Sequence, residues 1–159
     1  MSLWKLTTSI RSTDLQNWMT SRFLNPIFDI EGGWEYWIQI DFPAWLDIYH
    51  KCQYDFRREV PGVLSNARLD WLVNSQVGGQ LTAVEIKAQT HKYLDDRFIS
   101  EVLADVGKLA VLDQGFHKIM LAAVISPSAS ARLTAEHLQG RFVPIARFSD
   151  TIQFLAYIF

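Results

Sequence analysis

Residues 68–89 read RLDWLVNSQVGGQLTAVEIKAQ, two apolar runs on either side of a glycine pair. In the first run, Leu69, Trp71 and Val73 alternate with Asp70 and Leu72, and the second run, LTAVEIKA at 81–88, is rich in β-branched residues. Two such runs around Gly78 and Gly79 predict a β-hairpin. Both strands carry charged residues, and burying an unpaired charge is costly, so these charges need a physical explanation.

The charged side chains of the hairpin are predicted to converge on one site. Because side chains alternate along a strand, Glu85, Lys87 and Gln89 share one face. A turn near residues 77–79 places Asp70 opposite Glu85 or Lys87, with side chains about 5 Å apart across the pair. Two neighbouring carboxylates repel unless a positive ion lies between them, and oxygen ligands of this kind suit Mg²⁺.

A metal ion at this position would favour chemistry on phosphate groups. Held by Asp70 and Glu85, it could accept a phosphate oxygen and lower the pKa of a bound water. Lys87 would then orient that water or the phosphate and stabilise developing charge. The two carboxylates of the hairpin could therefore hold such an ion beside Lys87, although their spacing alone does not establish an activity on phosphates.

The segments before the hairpin predict two helices and an edge strand. Capping residues and apolar residues at helical spacing predict a first helix from residue 13 or 14 to about Leu24. A second helix is predicted over about 34–49, kinked or split by Pro43, and the run IQIDF at 38–42 also alternates as a strand would. The sequence YDFRREV at 54–60 can extend as an edge strand.

The segments after the hairpin alternate between helix and strand. An amphipathic helix is predicted from Asp95 or Asp96 to before Gly115, with one apolar stripe. The remaining predicted elements are a buried strand over 118–126, a helix over 129–139, a strand over 142–148 and a final strand or short helix over 152–159. Together they predict an α/β sandwich whose central mixed sheet is flanked by helices.

Composition bounds the class of protein. With 159 residues, 49% of them hydrophobic, the chain can bury one sizeable core, so a single domain over 1–159 is expected. No run of eighteen uncharged apolar residues and no secretory signal are recognisable, so no membrane contact and a cytoplasmic location are expected. A single cysteine, Cys52, excludes an intramolecular disulfide.

The charge balance limits how the chain could contact nucleic acid. A formal net charge of −2 argues against binding through bulk electrostatics, so any nucleic-acid contact must be local. Four basic residues around the hairpin are the candidates for phosphate contacts: Arg57, Arg58, Arg68 and Lys92. Residues of this kind are more often simply solvated, which stays the alternative interpretation.

The motif resembles a known family. Asp70 followed by Glu85-Ile86-Lys87 on consecutive strands, with a helix and a buried strand after them, resembles the PD-(D/E)XK phosphodiesterase superfamily. The resemblance covers the order of elements over about 31–126. It implies a restriction-endonuclease-like sandwich and a nuclease that requires Mg²⁺, with Mn²⁺ as a substitute, and acts on DNA.

The resemblance also implies roles for individual residues. The Ile86 carbonyl would join Asp70 and Glu85 as a metal ligand, while Lys87 positions the attacking water. Gln89 and Glu35 would support catalysis, Gln89 because many members carry a glutamine two residues after the lysine, and Glu35 as the acid on an early helix. Glu31 is the second candidate for that acid. The chain departs from the family pattern at position 69, where Leu69 stands in place of the usual proline.

Three further interpretations stay open at this level. Glu85 and Lys87 could lie on a solvated strand face while Asp70 caps a turn. The chain could be a non-catalytic interaction module that keeps the nuclease fold as a subunit of a DNA-processing or defence assembly. The apolar C-terminal segment IQFLAYIF, residues 152–159, also predicts a homodimer that buries part of it.

Overall fold

A computed structural model of the protein describes residues 12–22, 33–50, 54–64, 67–75, 81–135, 142–147 and 152–159. These residues contain four helices and six strands. The helices are α1 (Ser12–Arg22), α2 (Gly33–His50), α3 (Asp95–Ala110) and α4 (Pro127–Leu133). The strands are β1 (Tyr54–Leu64), β2 (Ala67–Ser75), β3 (Leu81–Ala88), β4 (His117–Val124), β5 (Phe142–Arg147) and β6 (Gln153–Ile158).

The strands form one mixed sheet in the order β1-β2-β3-β4-β6-β5. β3 and β4 are parallel, and every other neighbouring pair is antiparallel. A parallel pair needs a long crossover connection, which α3 provides. The prediction of an α/β fold with a central mixed sheet is thus confirmed, and β3, which carries the motif, is an interior strand.

Helices cover both faces of the sheet. α1 and α2 pack on one face around Trp18, Trp34 and Trp71, none of which is more than 1% exposed. α3 and α4 pack on the other face, where Phe98 and Leu133 contact buried residues of the sheet. The tryptophans of the described residues therefore serve mainly in packing.

Helix α2 continues through Pro43, so the predicted split does not occur. A proline inside a helix cannot donate to the carbonyl four residues earlier, which here belongs to Gln39. The indole nitrogen of Trp71 donates to that carbonyl at 3.0 Å. A side chain of β2 thus replaces the missing helical hydrogen bond and fixes α2 to the sheet one residue from Asp70.

The C-terminal segment lies inside the sheet. β6 pairs with β4 on one side and with β5 on the other, and Phe154, Leu155 and Ala156 are fully buried. The premise of the homodimer prediction is therefore wrong, because the fold of one chain already buries this segment. Dimerisation itself stays a prediction.

Several boundaries differ from the predicted ones. α3 begins after Leu94, and neither Asp95 nor Asp96 provides a side-chain cap at its start. Leu103, predicted in the apolar stripe, is 37% exposed. α4 is shorter than predicted, because Ser126 caps it and it ends at Leu133. Three predicted features lie outside the described residues: the end of α4 near residue 139, the hairpin turn at 76–80 and Glu31.

None of the helices among the described residues is long and apolar enough to cross a membrane.

Candidate active site

The candidate site forms where β2 and β3 stop pairing. Their register runs from Asn74↔Leu81 to Trp71↔Val84 and goes no further, whereas β3 stays paired with β4 as far as Ala88↔Ala123. Residues 85–88 of β3 therefore present one edge that β2 does not cover, and this edge is called the open edge below. Backbone groups on a sheet edge need partners from elsewhere.

Asp70 provides one of those partners because β2 is irregular at this point. In a regular strand, residues two apart share a face, yet Leu69 packs in the α3 and α4 core while Trp71 packs in the α1 and α2 core. On the neighbouring strand β1, Glu59 lies between Arg58 and Val60, the partners of Trp71 and Leu69. Its φ of 53° is in the left-handed region, so β1 is irregular at the same place. The carboxylate of Asp70 reaches the open edge, where Oδ2 accepts a hydrogen bond from the Ile86 N–H at 2.7 Å.

Glu35 reaches the same edge from α2. Its Oε2 accepts a hydrogen bond from the Ala88 N–H at 3.0 Å, and its Oε1 lies 3.5 Å from the ammonium nitrogen of Lys87. The neighbouring Trp34 fixes the start of α2, because its indole nitrogen donates to the carbonyl of Gln89 at 2.8 Å. The structure therefore places Glu35, the acid predicted on the early helix, in contact with Lys87 and Ala88 of β3.

The backbone carbonyl of Ile86 is placed for the role that the resemblance implies. The N–H and C=O groups of one strand residue point to the same side of the strand. Because the Ile86 N–H points to Asp70, its carbonyl also points to the open edge. Its role as a metal ligand stays a prediction.

Glu85 and Lys87 lie on the sheet face that α3 covers, where two residues of α3 join them. The ammonium nitrogen of Lys87 lies 3.7 Å from Asp105 Oδ2. The ammonium nitrogen of Lys108 lies 2.8 Å from Asp105 Oδ1 and 3.2 Å from Glu85 Oε2. Asp105 thus bridges the two lysines, and the predicted motif is part of a larger charged cluster.

This charged cluster is acidic overall. Four carboxyl groups and two ammonium groups contact one another or the open edge, which leaves a formal charge of −2 when all are ionised. The members are Glu35, Asp70, Glu85, Lys87, Asp105 and Lys108. Glu85 is 2% exposed and Asp105 is 7% exposed, so water can screen this charge only weakly.

Burial and crowding shift the proton affinities of these groups. Burial, followed by the nearby negative charge of Asp70, raises the pKa of Glu85 to about 8. Burial also raises the pKa of Glu35 and of Asp70. For Lys87, burial lowers the pKa, but Glu35, Asp105 and Asp70 outweigh it and raise the pKa overall. The site therefore favours added positive charge.

One atom of the cluster lacks a partner. Glu85 Oε1 is buried and has no hydrogen-bond partner among the described residues. A buried carboxylate oxygen without a donor is costly, and a hard cation would satisfy it. Within the described ranges, no group of three or more histidine, cysteine, aspartate or glutamate side chains is arranged to hold a metal. A cation here would rest on Asp70, Glu85, one carbonyl and water, which fits the way Mg²⁺ is usually held.

Gln89 is buried beyond the end of the motif. Its Oε1 accepts hydrogen bonds from the N–H groups of Ile125 at 3.2 Å and Ser126 at 3.0 Å, and its Nε2 donates to Asp95 at 2.7 Å. These bonds join the end of β3 to the starts of α3 and α4. The structure thus gives Gln89 an architectural role, and its predicted support of catalysis is untested.

The basic residues predicted to contact phosphates differ in how the structure connects them to the site. Arg57, Arg68 and Lys92 are exposed, and the two arginines pair with Asp55 and Glu59, respectively. Arg58 is connected to the site more directly.

The connection runs through Gln39 of α2. Arg58 Nε donates to Gln39 Oε1 at 3.2 Å, and Gln39 Nε2 donates to Asp70 Oδ1 at 3.0 Å. The guanidinium of Arg58 also lies 4.4 Å from the ring centre of Tyr36, which is 56% exposed. Of the four basic residues, Arg58 is thus the one that the structure joins to the cluster.

Sequence reasoning missed Gln39, Asp105 and Lys108. Two signals were present. Gln39 follows Glu35 by four residues, so both lie on one face of α2. Asp105 occupies a helical position between the buried Val102 and Leu109, where an acid is unexpected in an apolar stripe.

Comparison of the chain with protein-family models, with curated proteins and with solved structures gives no match.

Proposed function

We propose that this protein is a nuclease of the restriction-endonuclease-like type that hydrolyses phosphodiester bonds with Mg²⁺, or Mn²⁺ in its place. The observation that carries the proposal is the buried, unpartnered oxygen of Glu85 beside Asp70, in a cluster whose formal charge is −2 when all of its groups are ionised. A structural ion-pair network would balance its own charges, whereas the charge of this cluster, when fully ionised, would be balanced by one divalent cation.

The residues of the cluster have separate roles in this proposal. Asp70, Glu85 and the Ile86 carbonyl would hold the cation, which when bound supplies positive charge for the phosphate and lowers the pKa of a water. Lys87 donates hydrogen bonds to the attacking water or to the phosphate oxygen on which charge develops. Glu35 holds the ammonium group of Lys87 at the open edge by its contact at 3.5 Å.

DNA is the proposed substrate class. Arg58 would contact a backbone phosphate next to the scissile one, because it is linked to Asp70 through Gln39. Phosphate contacts of this type position the nucleic acid without reading its sequence.

The test is cleavage of labelled single-stranded and double-stranded DNA and RNA with Mg²⁺, Mn²⁺ or a chelator. We expect metal-dependent cleavage by the wild type, and loss of both cleavage and calorimetric Mg²⁺ binding in Asp70→Asn. Asp55→Asn is the matched control, because this aspartate lies on β1 in a surface pair with Arg57. A wild type that neither binds metal nor cuts any of the substrates would exclude the nuclease.

An interaction module with the same fold is the second candidate, and one observation favours it. The outer face of α2 exposes three apolar side chains at intervals of four or eight residues: Tyr36 at 56%, Ile40 at 46% and Ile48 at 72%. Exposed apolar patches of this kind often bind other proteins. If Ile40→Asp and Ile48→Asp abolish a biological activity that Asp70→Asn leaves intact, the module is favoured over the enzyme.

A further inference from the structure

The ammonium group of Lys108 occupies a distinctive place in the charged cluster. Its nitrogen lies 3.2 Å from Glu85 Oε2 and 2.8 Å from Asp105 Oδ1. Within the described residues, Lys108 is the cation that contacts the carboxylate of Glu85. It therefore stands next to the proposed metal ligand on the side of α3.

The position of Lys108 allows this contact to break. Lys108 is three residues after Asp105 on α3, so the two side chains lie on the same face of the helix. The Lys108 side chain is 37% exposed, whereas that of Glu85 is 2% exposed. A rotation of the flexible lysine stem can move its ammonium group into water, while Glu85 has no comparable freedom.

The second oxygen of Glu85 shows that Lys108 does not neutralise the site fully. Glu85 Oε1 is buried and unpartnered although Oε2 is paired. A single ammonium group reaches only one of the two oxygens, and Asp105 shares that group. The negative charge of Asp70 also acts on Glu85, so a divalent cation would be attracted by both carboxylates.

From this arrangement we propose that Lys108 is a resident hydrogen-bond partner of Glu85 that the divalent cation must displace. The inference rests on the proposed function, because it assumes a cation at Asp70 and Glu85. Lys108 stabilises the metal-free protein and at the same time lowers the metal affinity. After displacement, the ammonium group of Lys108 leaves Glu85 and moves into water, because its side chain is 37% exposed.

The test uses Lys108→Met, which keeps the length of the side chain and removes its charge. We expect a lower thermal midpoint without metal, since Glu85 and Asp105 lose a partner. We expect Mg²⁺ affinity measured by calorimetry to rise about tenfold, the factor that corresponds to about 1.4 kcal/mol. The two effects have opposite signs, and a purely structural lysine would produce the first without the second.

A second variant and a control sharpen the result. Lys108→Gln, which keeps a hydrogen-bond donor for Glu85, should fold more stably than Lys108→Met and still bind Mg²⁺ more tightly than the wild type. Lys118→Met is the control, because Lys118 on β4 contacts the Leu112 carbonyl and the Phe159 ring and should not alter Mg²⁺ affinity. Unchanged or weaker Mg²⁺ binding in both Lys108 variants would overturn the proposal.

A metal-free measurement separates this inference from the proposed function. A double-mutant cycle of Lys108→Met with Glu85→Gln, followed by chemical unfolding in chelator, measures the coupling of the two side chains directly. Coupling together with tighter Mg²⁺ binding supports the inference, and absence of coupling overturns it even if the protein is a nuclease. If neither the wild type nor the Lys108 variants bind Mg²⁺ or Mn²⁺, both the proposed function and the proposed displacement of Lys108 are wrong.

Discussion

At the scale of single residues, the proposed function predicts that Lys87 acts in the chemistry and not in metal binding. Its ammonium nitrogen lies 3.5 Å from Glu35 and 3.7 Å from Asp105, so two acids outside the proposed ligand set hold it. A group fixed in this way can act on the water or phosphate without contributing an anion to the metal.

Lys87→Ala is therefore expected to retain Mg²⁺ binding, because loss of a nearby positive charge does not weaken attraction for a cation. Turnover should fall about a thousandfold or more, as when a donor to developing negative charge is removed. Calorimetry and single-turnover cleavage measure the two quantities, with Lys118→Ala as the control. If Lys87→Ala cuts as fast as the wild type, the role given to Lys87 is wrong.

Glu85 predicts an unusual dependence of stability on pH. Its pKa is about 8 in the folded protein, against an ordinary value of 4.5, so between these values the folded state binds more protons than the unfolded state. The free energy of unfolding of the metal-free protein should consequently decrease as pH rises through this window. Mg²⁺ should restore stability at the upper end, where the carboxylate is ionised.

Thermal unfolding across that window, with chelator or with Mg²⁺, measures this dependence. Glu85→Gln is expected to flatten the decrease, because its amide does not titrate. If the metal-free wild type becomes more stable from pH 5 to pH 8, folding does not raise the pKa of Glu85 and the prediction is wrong.

At the scale of the elements, buried polar side chains join helices to strands around the site. Trp71 of β2 donates to the Gln39 carbonyl that Pro43 leaves without a helical partner. Gln89 performs a similar function beyond β3 by accepting from two backbone N–H groups at the start of α4. The Trp71 bond thus fixes α2, which carries Glu35, and the Gln89 bonds fix the start of α4 beside the end of β3.

Gln89→Leu is expected to destabilise the protein by about 3 kcal/mol, because it leaves two backbone donors unpaired and each such group costs about 1–3 kcal/mol when buried. Gln16→Leu is the matched control, since Gln16 Oε1 accepts from one exposed backbone N–H, that of Arg147. Chemical unfolding gives the free energies. If Gln89→Leu keeps full stability but loses cleavage, Gln89 acts in catalysis as the resemblance implies.

At the scale of the whole molecule, the sheet separates two hydrophobic cores, and its stability depends on its interior strands. β6 lies between β4 and β5, so it alone connects β5 to the rest of the sheet. A segment in this position is required for folding, in contrast to a segment that serves an interface between two chains.

Truncation after Ile152, which removes β6, is therefore expected to unfold the protein. The buried side chains of Phe154, Leu155 and Ala156 would be lost, and β5 would have no partner. Circular dichroism and a cooperative thermal transition report the outcome. A truncated chain that stays folded, and that differs from the intact chain only by being monomeric in light scattering, would instead place residues 153–159 in a dimer interface.

The sequence alone determined the order of the elements and the residues of the motif. Alternation along 81–88 and helical spacing along α3 depend on neighbours two to four residues apart, so they can be read locally. The alternation predicted along 69–73 is wrong between Leu69 and Trp71, because these two side chains pack in different cores. The same local rule placed Glu85 and Lys87 on one face of β3. The final segment could be predicted only as strand or short helix, because a short apolar run fits either.

Only the tertiary structure decided which groups meet at the site. Asp105 and Lys108 contact Lys87 and Glu85 because α3 crosses back over the sheet, and Asp70 reaches the open edge because β2 is irregular beside it. Such contacts join elements far apart in the chain, so they depend on how helices pack and where strands separate. Neither the packing of helices nor the place where strands separate can be predicted from local periodicity. The charged residues could therefore be found from the sequence, and their partners could not.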